Sequence, residues 1–160
     1  MAEPRLWEWP VRLCHWALAV LVIVNLVADS GDYSHRVLGY IAVGVIVARL
    51  LWATVSRSNG RLRDLRPSWA ETRLYLGQLR KGAPPRQAGH NPLGLWMVWL
   101  IWSLVLLLGV TGWMSHLDAF WGDDTVHLVH EILADTLLAC VILHFLAIAT
   151  MSLLWKENLP

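Results

Sequence analysis

The sequence predicts an all-α membrane protein built as a bundle of four transmembrane helices. Three observations predict it: 56% of the 160 residues are hydrophobic, only 16% are charged, and the apolar residues are gathered into four long blocks. A helix needs about 20 mostly apolar residues to cross the hydrocarbon core of a bilayer. A soluble four-helix bundle is the alternative, but its helices would each show a polar face, which these blocks lack.

Each block supplies one predicted helix. Residues 13–28 carry no charge, and residues 37–55 carry Arg49 alone. Residues 91–117 and 136–155 contain no Asp, Glu, Lys or Arg. With their polar flanks, the four predicted helices cover residues 11–29, 35–55, 92–114 and 126–155, and the whole chain, 1–160, forms a single membrane-integral domain.

A shorter helix is predicted between the second and third transmembrane helices. Ser68 is a candidate N-cap after Pro67, and Glu71 stands three residues further on, which is the capping-box pattern. The Trp and Leu side chains of this segment can lie on the membrane while its arginines meet lipid phosphates. We therefore predict an interfacial amphipathic helix over residues 68–81.

The basic residues are distributed unevenly between the two sides of the membrane. Arg5 and Arg12 precede or open the first helix, and Lys156 follows the fourth. The connection between the second and third helices holds Arg57, Arg61, Arg63, Arg66, Arg73, Arg80, Lys81 and Arg86. The other two connections are acidic, with Asp29 and Asp32 in the first. By the positive-inside rule, both termini and the interfacial helix are cytoplasmic.

Four of the seven histidines lie at two matching depths in three of the helices. His15 lies near the cytoplasmic end of the first helix, and His35 at the external start of the second. His130 and His144 are fourteen residues apart in the fourth helix, a rise of about 21 Å that ends within roughly 40° of the starting direction. We therefore pair His15 with His144 and His35 with His130. This arrangement fits two haems, each with two axial histidines.

Other uses of these histidines stay open at this point. A single intramembrane histidine can serve as a helix–helix hydrogen bond, and a zinc or proton transporter could use the same four residues. Glu131 and Asp135 are the only acids in the fourth predicted helix. Imidazole with so little carboxylate favours haem over a hydrated metal ion. Covalent haem attachment is excluded because the C-x-x-C-H motif would need a cysteine where Val11 stands.

Three arginines lie where they could contact a haem propionate or a quinone. Arg49 follows His35 by fourteen residues and shares the depth of the His15/His144 pair, while Arg36 adjoins His35. Arg12, three residues before His15, could make the same contact there. A guanidinium suits a carboxylate because it donates two parallel hydrogen bonds. The alternative for Arg49 is a side chain that extends to the cytoplasmic surface.

Four stretches of the sequence carry a family pattern. They are WEWPVRLCHW at the first helix, SHRVLGY at the second, GHNPLGLWMV before the third and HEILADTLLACVILH in the fourth. Together they resemble the bacterial cytochrome b561 family, and the chain is also similar to the b-type cytochrome subunit of nickel–iron hydrogenases. The resemblance implies two haem b groups with the axial pairs His15/His144 and His35/His130, in the bacterial inner membrane.

We expect a dihaem b-type cytochrome that carries electrons between the quinone pool and a periplasmic redox partner such as a c-type cytochrome. Two histidines on each iron leave no coordination position for oxygen chemistry, and the acidic external connections suit a partner with a basic patch. The alternatives are a superoxide:quinone oxidoreductase and a haem-free zinc or proton transporter. We expect contact with lipid and quinone, with quinone on the cytoplasmic side near His15, Arg49 and His90. No nucleic acid is expected, and a homodimer is left open.

Overall fold

The computed structural model describes residues 8–28, 31–56, 61–81 and 91–155. Within these ranges it contains five α-helices and no strand. The helices are α1 (Trp9–Val27), α2 (Tyr33–Val55), α3 (Trp69–Arg80), α4 (Pro92–Met114) and α5 (Asp124–Trp155). All but α3 are long and apolar enough to cross a membrane. The predicted class, an all-α protein with four transmembrane helices, is confirmed.

Local sequence sets where the first two helices begin. The α1 helix starts at Trp9, two residues before the expected position, because Pro10 suits the first helical turn and has no N–H to satisfy there. The α2 helix starts at Tyr33 because Asp32 caps it: the carboxylate accepts a hydrogen bond from the backbone N–H of His35 at 2.6 Å. The cap and the first candidate ligand of α2 therefore lie in the same turn.

The α3 helix lies against the beginning of α4. Ser68 caps it as the sequence indicates, by accepting a hydrogen bond from the N–H of Glu71 at 3.4 Å. The hydroxyl of Thr72 accepts a hydrogen bond from the indole N–H of Trp96 in α4 at 3.2 Å. The ring of Trp96 also packs on that of Trp69, with centroids 4.7 Å apart. These contacts attach α3 to the bundle, while its position at the bilayer surface stays a prediction.

The four long helices pack in the order α1, α2, α4, α5. Helix α1 packs along α2, α2 along α4, and α4 along α5. Among the residues that the structure describes, α5 has no comparably extensive packing on α1 or α2. Helices α2 and α4 approach closely at Gly109, where an added Cβ would lie only 2.6 Å from Cγ2 of Val43. The bundle is therefore tight between α2 and α4 and open between α5 and the α1–α2 pair.

Several residues used in the sequence predictions lie outside the described ranges. They are Arg5, Asp29, Arg57, Arg86, His90 and Lys156, together with the side chain of Arg63. The orientation with both termini in the cytoplasm depends on most of them, so it stays a prediction. The same holds for the interpretation of residues 1–160 as a single domain.

Candidate functional site

His35 and His130 lie side by side near the beginnings of α2 and α5. Their ring centroids are 6.3 Å apart, and the ring planes make an angle of 64°. Asn25 on α1 supports this position. In the amide orientation that satisfies both of its polar atoms, it donates to the carbonyl of His35 at 3.2 Å and accepts from the N–H of Gly39 at 3.0 Å. These two hydrogen bonds join α1 to the backbone of α2 beside His35.

His130 is held by two consecutive residues of α4. The hydroxyl oxygen of Thr111 lies 2.8 Å from Nδ1 of His130. At Gly112, the next residue, an added Cβ would lie 3.4 Å from Cε1 of the same ring. The imidazole therefore rests against the backbone of α4 with its Nδ1 engaged by the protein, and Nε2 takes no part in this contact.

His15 and His144 form the second pair, near the start of α1 and in the second half of α5. Their ring centroids are 6.4 Å apart, with an angle of 54° between the planes. A cavity of about 70 Å³ adjoins His15, and Cys14, Arg49 and Trp102 are among the residues that line it. Arg49 is only 5% exposed. Its side chain therefore lies within the bundle beside a histidine pair and does not extend to the surface.

The separation in both pairs matches that of two imidazoles on one metal ion. A bond from a metal to an imidazole nitrogen is about 2.0 Å long, and that nitrogen lies about 1.2 Å from the ring centre, so two in-line ligands place their ring centroids about 6.4 Å apart. The observed distances are 6.3 and 6.4 Å. The side between α5 and the α1–α2 pair, which is open in the described part of the chain, is where a flat macrocycle would enter. The residues present therefore fit haem.

The three predicted arginines have different surroundings. Arg49 lines the cavity next to His15. The guanidinium carbon of Arg36 lies 5.5 Å from the ring centroid of Tyr33, which is a cation–π contact in the first turn of α2. Arg12 is exposed on the first turn of α1. The structure thus brings one arginine into a histidine site, and contacts of all three with propionate or quinone stay predictions.

Three residues beside the histidine pairs were not predicted from the sequence: Asn25, Thr111 and Gly112. Each supports a histidine that the sequence did single out, but none belongs to a spacing pattern. The available signal was that Asn25 and Thr111 are isolated polar residues in apolar membrane helices, where a side-chain hydrogen bond to a neighbouring helix is the usual purpose. Their partners could not be named without knowing which helices face each other.

A membrane bundle whose helices bring histidines together in facing pairs fits the class of membrane b-type cytochromes. The chain belongs to the prokaryotic cytochrome b561 family, because the family model with that description matches residues 6–160. The predicted resemblance is therefore confirmed, and with it a multi-pass bacterial membrane protein that uses haem b.

Two curated relatives share the name "Probable Ni/Fe-hydrogenase B-type cytochrome subunit". The one from Azotobacter vinelandii is 24% identical, over 74% of this chain and 61% of the relative. The one from Azotobacter chroococcum mcd 1 is also 24% identical, over 73% of this chain and 62% of the relative. The chain thus spans about three fifths of the length of these relatives. No solved structure matches the chain.

Proposed function

We propose that this chain is a dihaem b-type cytochrome that carries electrons across the bacterial inner membrane between the quinone pool and a periplasmic redox protein. The observation that supports the proposal is that two imidazole pairs, one near each end of the bundle, have the ring separation of two in-line ligands of one metal ion, 6.3 and 6.4 Å. His35 and His130 would hold the external haem, and His15 and His144 would hold the cytoplasmic one. Haem bound between two imidazoles supplies a one-electron carrier with no open coordination position.

The two sites span most of the hydrocarbon core. His130 and His144 lie fourteen residues apart on the continuous helix α5, which separates the sites by about 21 Å along the helix. The core of a bilayer is about 30 Å thick. One rigid helix therefore contributes a ligand to each site and sets the distance over which electrons have to pass.

We place the quinone site on the cytoplasmic side, beside His15. The cavity there combines an apolar wall that includes Ile46 and Trp102 with the buried cation of Arg49. A guanidinium donates hydrogen bonds to a quinone oxygen or a propionate, and Arg12 and Arg36 serve propionates at the two ends. At about 70 Å³ the cavity is smaller than a whole ligand pocket, about 300–1,000 Å³. A quinone ring would therefore enter by its edge, from the lipid.

The external face favours a basic partner. The connection between α4 and α5 presents Asp118 and Asp123, and Asp124 follows as the first residue of α5. Complementary charge accelerates encounter with a c-type cytochrome that has a basic patch. The name of the two relatives adds a nickel–iron hydrogenase as another candidate partner. With both termini and α3 on the cytoplasmic side, this acidic connection lies in the periplasm.

A superoxide:quinone oxidoreductase is the second candidate. It is favoured by Arg36, a cation one residue from His35 that would attract superoxide to the external site. The neighbouring aspartates act in the opposite direction. The haem-free zinc or proton transporter is the weaker alternative. For zinc the reason is that the ion takes three or four protein ligands. No group of three or more His, Cys, Asp and Glu side chains within the described ranges is placed to share an ion.

Proteoliposomes test the proposal. Vesicles are prepared with quinol in the bilayer and a membrane-impermeant ferric acceptor at the external face. We expect the wild type to reduce the acceptor, and His15→Ala and His35→Ala each to abolish the reduction. The controls His116→Ala and His127→Ala, at exposed external histidines, keep it. Acceptor reduction that survives both site variants would refute the proposal, and haem reduction by a superoxide flux without quinol would favour the second candidate.

A further inference from the structure

Thr111 makes a contact that packing alone does not require. Its side chain is 9% exposed, on the face of α4 that meets α5. The hydroxyl oxygen lies 3.0 Å from the carbonyl of Leu107, 3.2 Å from that of Leu108 and 2.8 Å from Nδ1 of His130. One hydroxyl group is thus shared between the backbone of its own helix and an imidazole of the next helix.

The number of available protons decides the direction of the contact with His130. A hydroxyl has one hydrogen to donate, and two carbonyl oxygens of α4 compete for it. When that hydrogen goes to a carbonyl, the oxygen accepts Nδ1–H of His130, and Nε2 is left with a free lone pair. The opposite direction would place the ring hydrogen on Nε2, where it would prevent coordination of a metal.

We propose that Thr111 is a positioning residue for the external haem: its hydroxyl accepts Nδ1–H of His130 and so selects the tautomer and the ring orientation that present Nε2 to the iron. This inference rests on the proposed function, because it takes His130 as an axial ligand. The partner residues of metal-bound histidines act in this way in other sites, where they orient the ring and raise its basicity.

The two histidines of the external pair are supported unequally. Nδ1 of His35 is buried and has no hydrogen-bond partner among the described residues. The support for His35 comes through its backbone, from Asp32 and Asn25. The ring of His130, in contrast, has a side-chain hydrogen bond, which Thr111 supplies. The imidazole also packs on α4 at Gly112, where an added Cβ would lie 3.4 Å from Cε1.

The contact also has an electronic consequence. An imidazole whose Nδ1–H is hydrogen-bonded donates more electron density through Nε2, which stabilises the oxidised iron and lowers the reduction potential. Removing such a partner changes metal affinity by about 10- to 100-fold in other proteins. A tenfold loss confined to the oxidised form corresponds to a rise of about 59 mV in a one-electron potential.

The test compares three variants by redox titration and by electron paramagnetic resonance of the oxidised haems. Thr111→Val removes the hydroxyl at nearly constant shape, and Thr111→Ser restores it. Thr136→Val is the matched control: Thr136 on α5 makes the same type of backbone hydrogen bond, to Ile132 at 2.7 Å, and is exposed. The external haem is identified as the one that His35→Ala removes.

We expect Thr111→Val to raise the potential of the external haem alone by about 59 mV and to shift its g-values. We expect Thr111→Ser and Thr136→Val to match the wild type. Selective loss of the external haem in Thr111→Val, with retention in Thr111→Ser, would also support the inference. If Thr111→Val does not accumulate in the membrane, Thr111→Ala makes the same comparison.

Two haems with unchanged potentials and g-values in Thr111→Val or Thr111→Ala would overturn the role of Thr111 and leave the proposed function standing. A wild-type protein without haem would overturn the proposed function itself. The two failures are therefore distinguishable in one set of samples.

Discussion

Gly109→Ala tests the close approach of α2 and α4. The added Cβ would lie 2.6 Å from Cγ2 of Val43, whereas carbon atoms in good contact are about 3.5–4.0 Å apart. The two helices would have to separate by about 1 Å, or Val43 would have to leave its rotamer. Overpacking of this kind costs about 1–3 kcal/mol. We therefore expect a loss of that size in the free energy of unfolding, measured by reversible denaturation in mixed detergent micelles.

Two controls isolate the steric effect in Gly109→Ala. Gly44→Ala, on α2, adds the same methyl group where nothing lies within 4 Å, so it reports the change in helix propensity alone. Val43→Ala removes the atom that clashes, and the other Val43 atom near the added group, Cβ, is 3.9 Å away. The double variant should therefore show a coupling energy of at least about 1 kcal/mol. Equal stability of Gly109→Ala and Gly44→Ala, or no coupling with Val43→Ala, would refute the reasoning.

Three further predictions concern single polar groups. Asn25→Leu removes both hydrogen bonds from α1 to α2. Because such bonds contribute about 0.6 kcal/mol each in a membrane, we expect a loss of about 1 kcal/mol in the free energy of unfolding, measured in the same assay. An unchanged stability would contradict this expectation. Tyr75→Phe removes a hydroxyl that is buried without a hydrogen-bond partner in the described part of the chain. The free energy of unfolding should therefore stay the same or rise by up to about 1 kcal/mol. A clear loss of stability would contradict this and would reveal a partner for the hydroxyl. The N–H of Thr125 donates to Asp123 at 2.8 Å and holds the pKa of that carboxyl below its ordinary value. The stabilisation of the folded protein by this carboxylate is therefore present above the ordinary value of 3.8 and is lost as the pH falls through the lowered pKa. Asp123→Asn should flatten the profile of stability against pH in this acid range, and an unchanged profile would contradict the assignment.

The transmembrane helices were predictable because a segment that crosses the bilayer must be a long run of apolar residues, and such runs are visible in the sequence. A charge-free run such as residues 136–155 has few structural solutions other than a spanning helix. The register of His130 and His144 followed from the rigid geometry of the α-helix. The pairing with His15 and His35 needed only the depth of each residue, counted from the polar ends of the helices. The structure places both pairs with their rings adjacent.

The neighbours of these histidines were not predictable in the same way. Thr111 contacts His130 because α4 packs on α5, and Asn25 contacts α2 because α1 packs on α2. Four helices that are apolar on all sides carry almost no sequence signal for which face meets which helix, since lipid and protein interior are equally apolar. The side chains that support a ligand therefore emerge only when the packing order of the helices is known.

The same limit applies to Arg49. Its position fourteen residues after His35 gave its depth and its side of α2, but left two outcomes, burial or extension to the cytoplasmic surface. The structure places the side chain inside the bundle, against the cavity beside His15. The packing of α1, α2 and α4 around this position decides between the two, and sequence spacing does not contain it.

The most direct test of the account is a haem count on the purified wild type and the four single His→Ala variants of the two pairs. Pyridine haemochrome analysis gives haem per chain, and low-temperature α-band spectra distinguish the two haems. We predict two haem b per wild-type chain. His15→Ala and His144→Ala should lose one and the same haem, and His35→Ala and His130→Ala the other. One haem per chain, no haem, or variants of a pair that lose different haems would contradict the account.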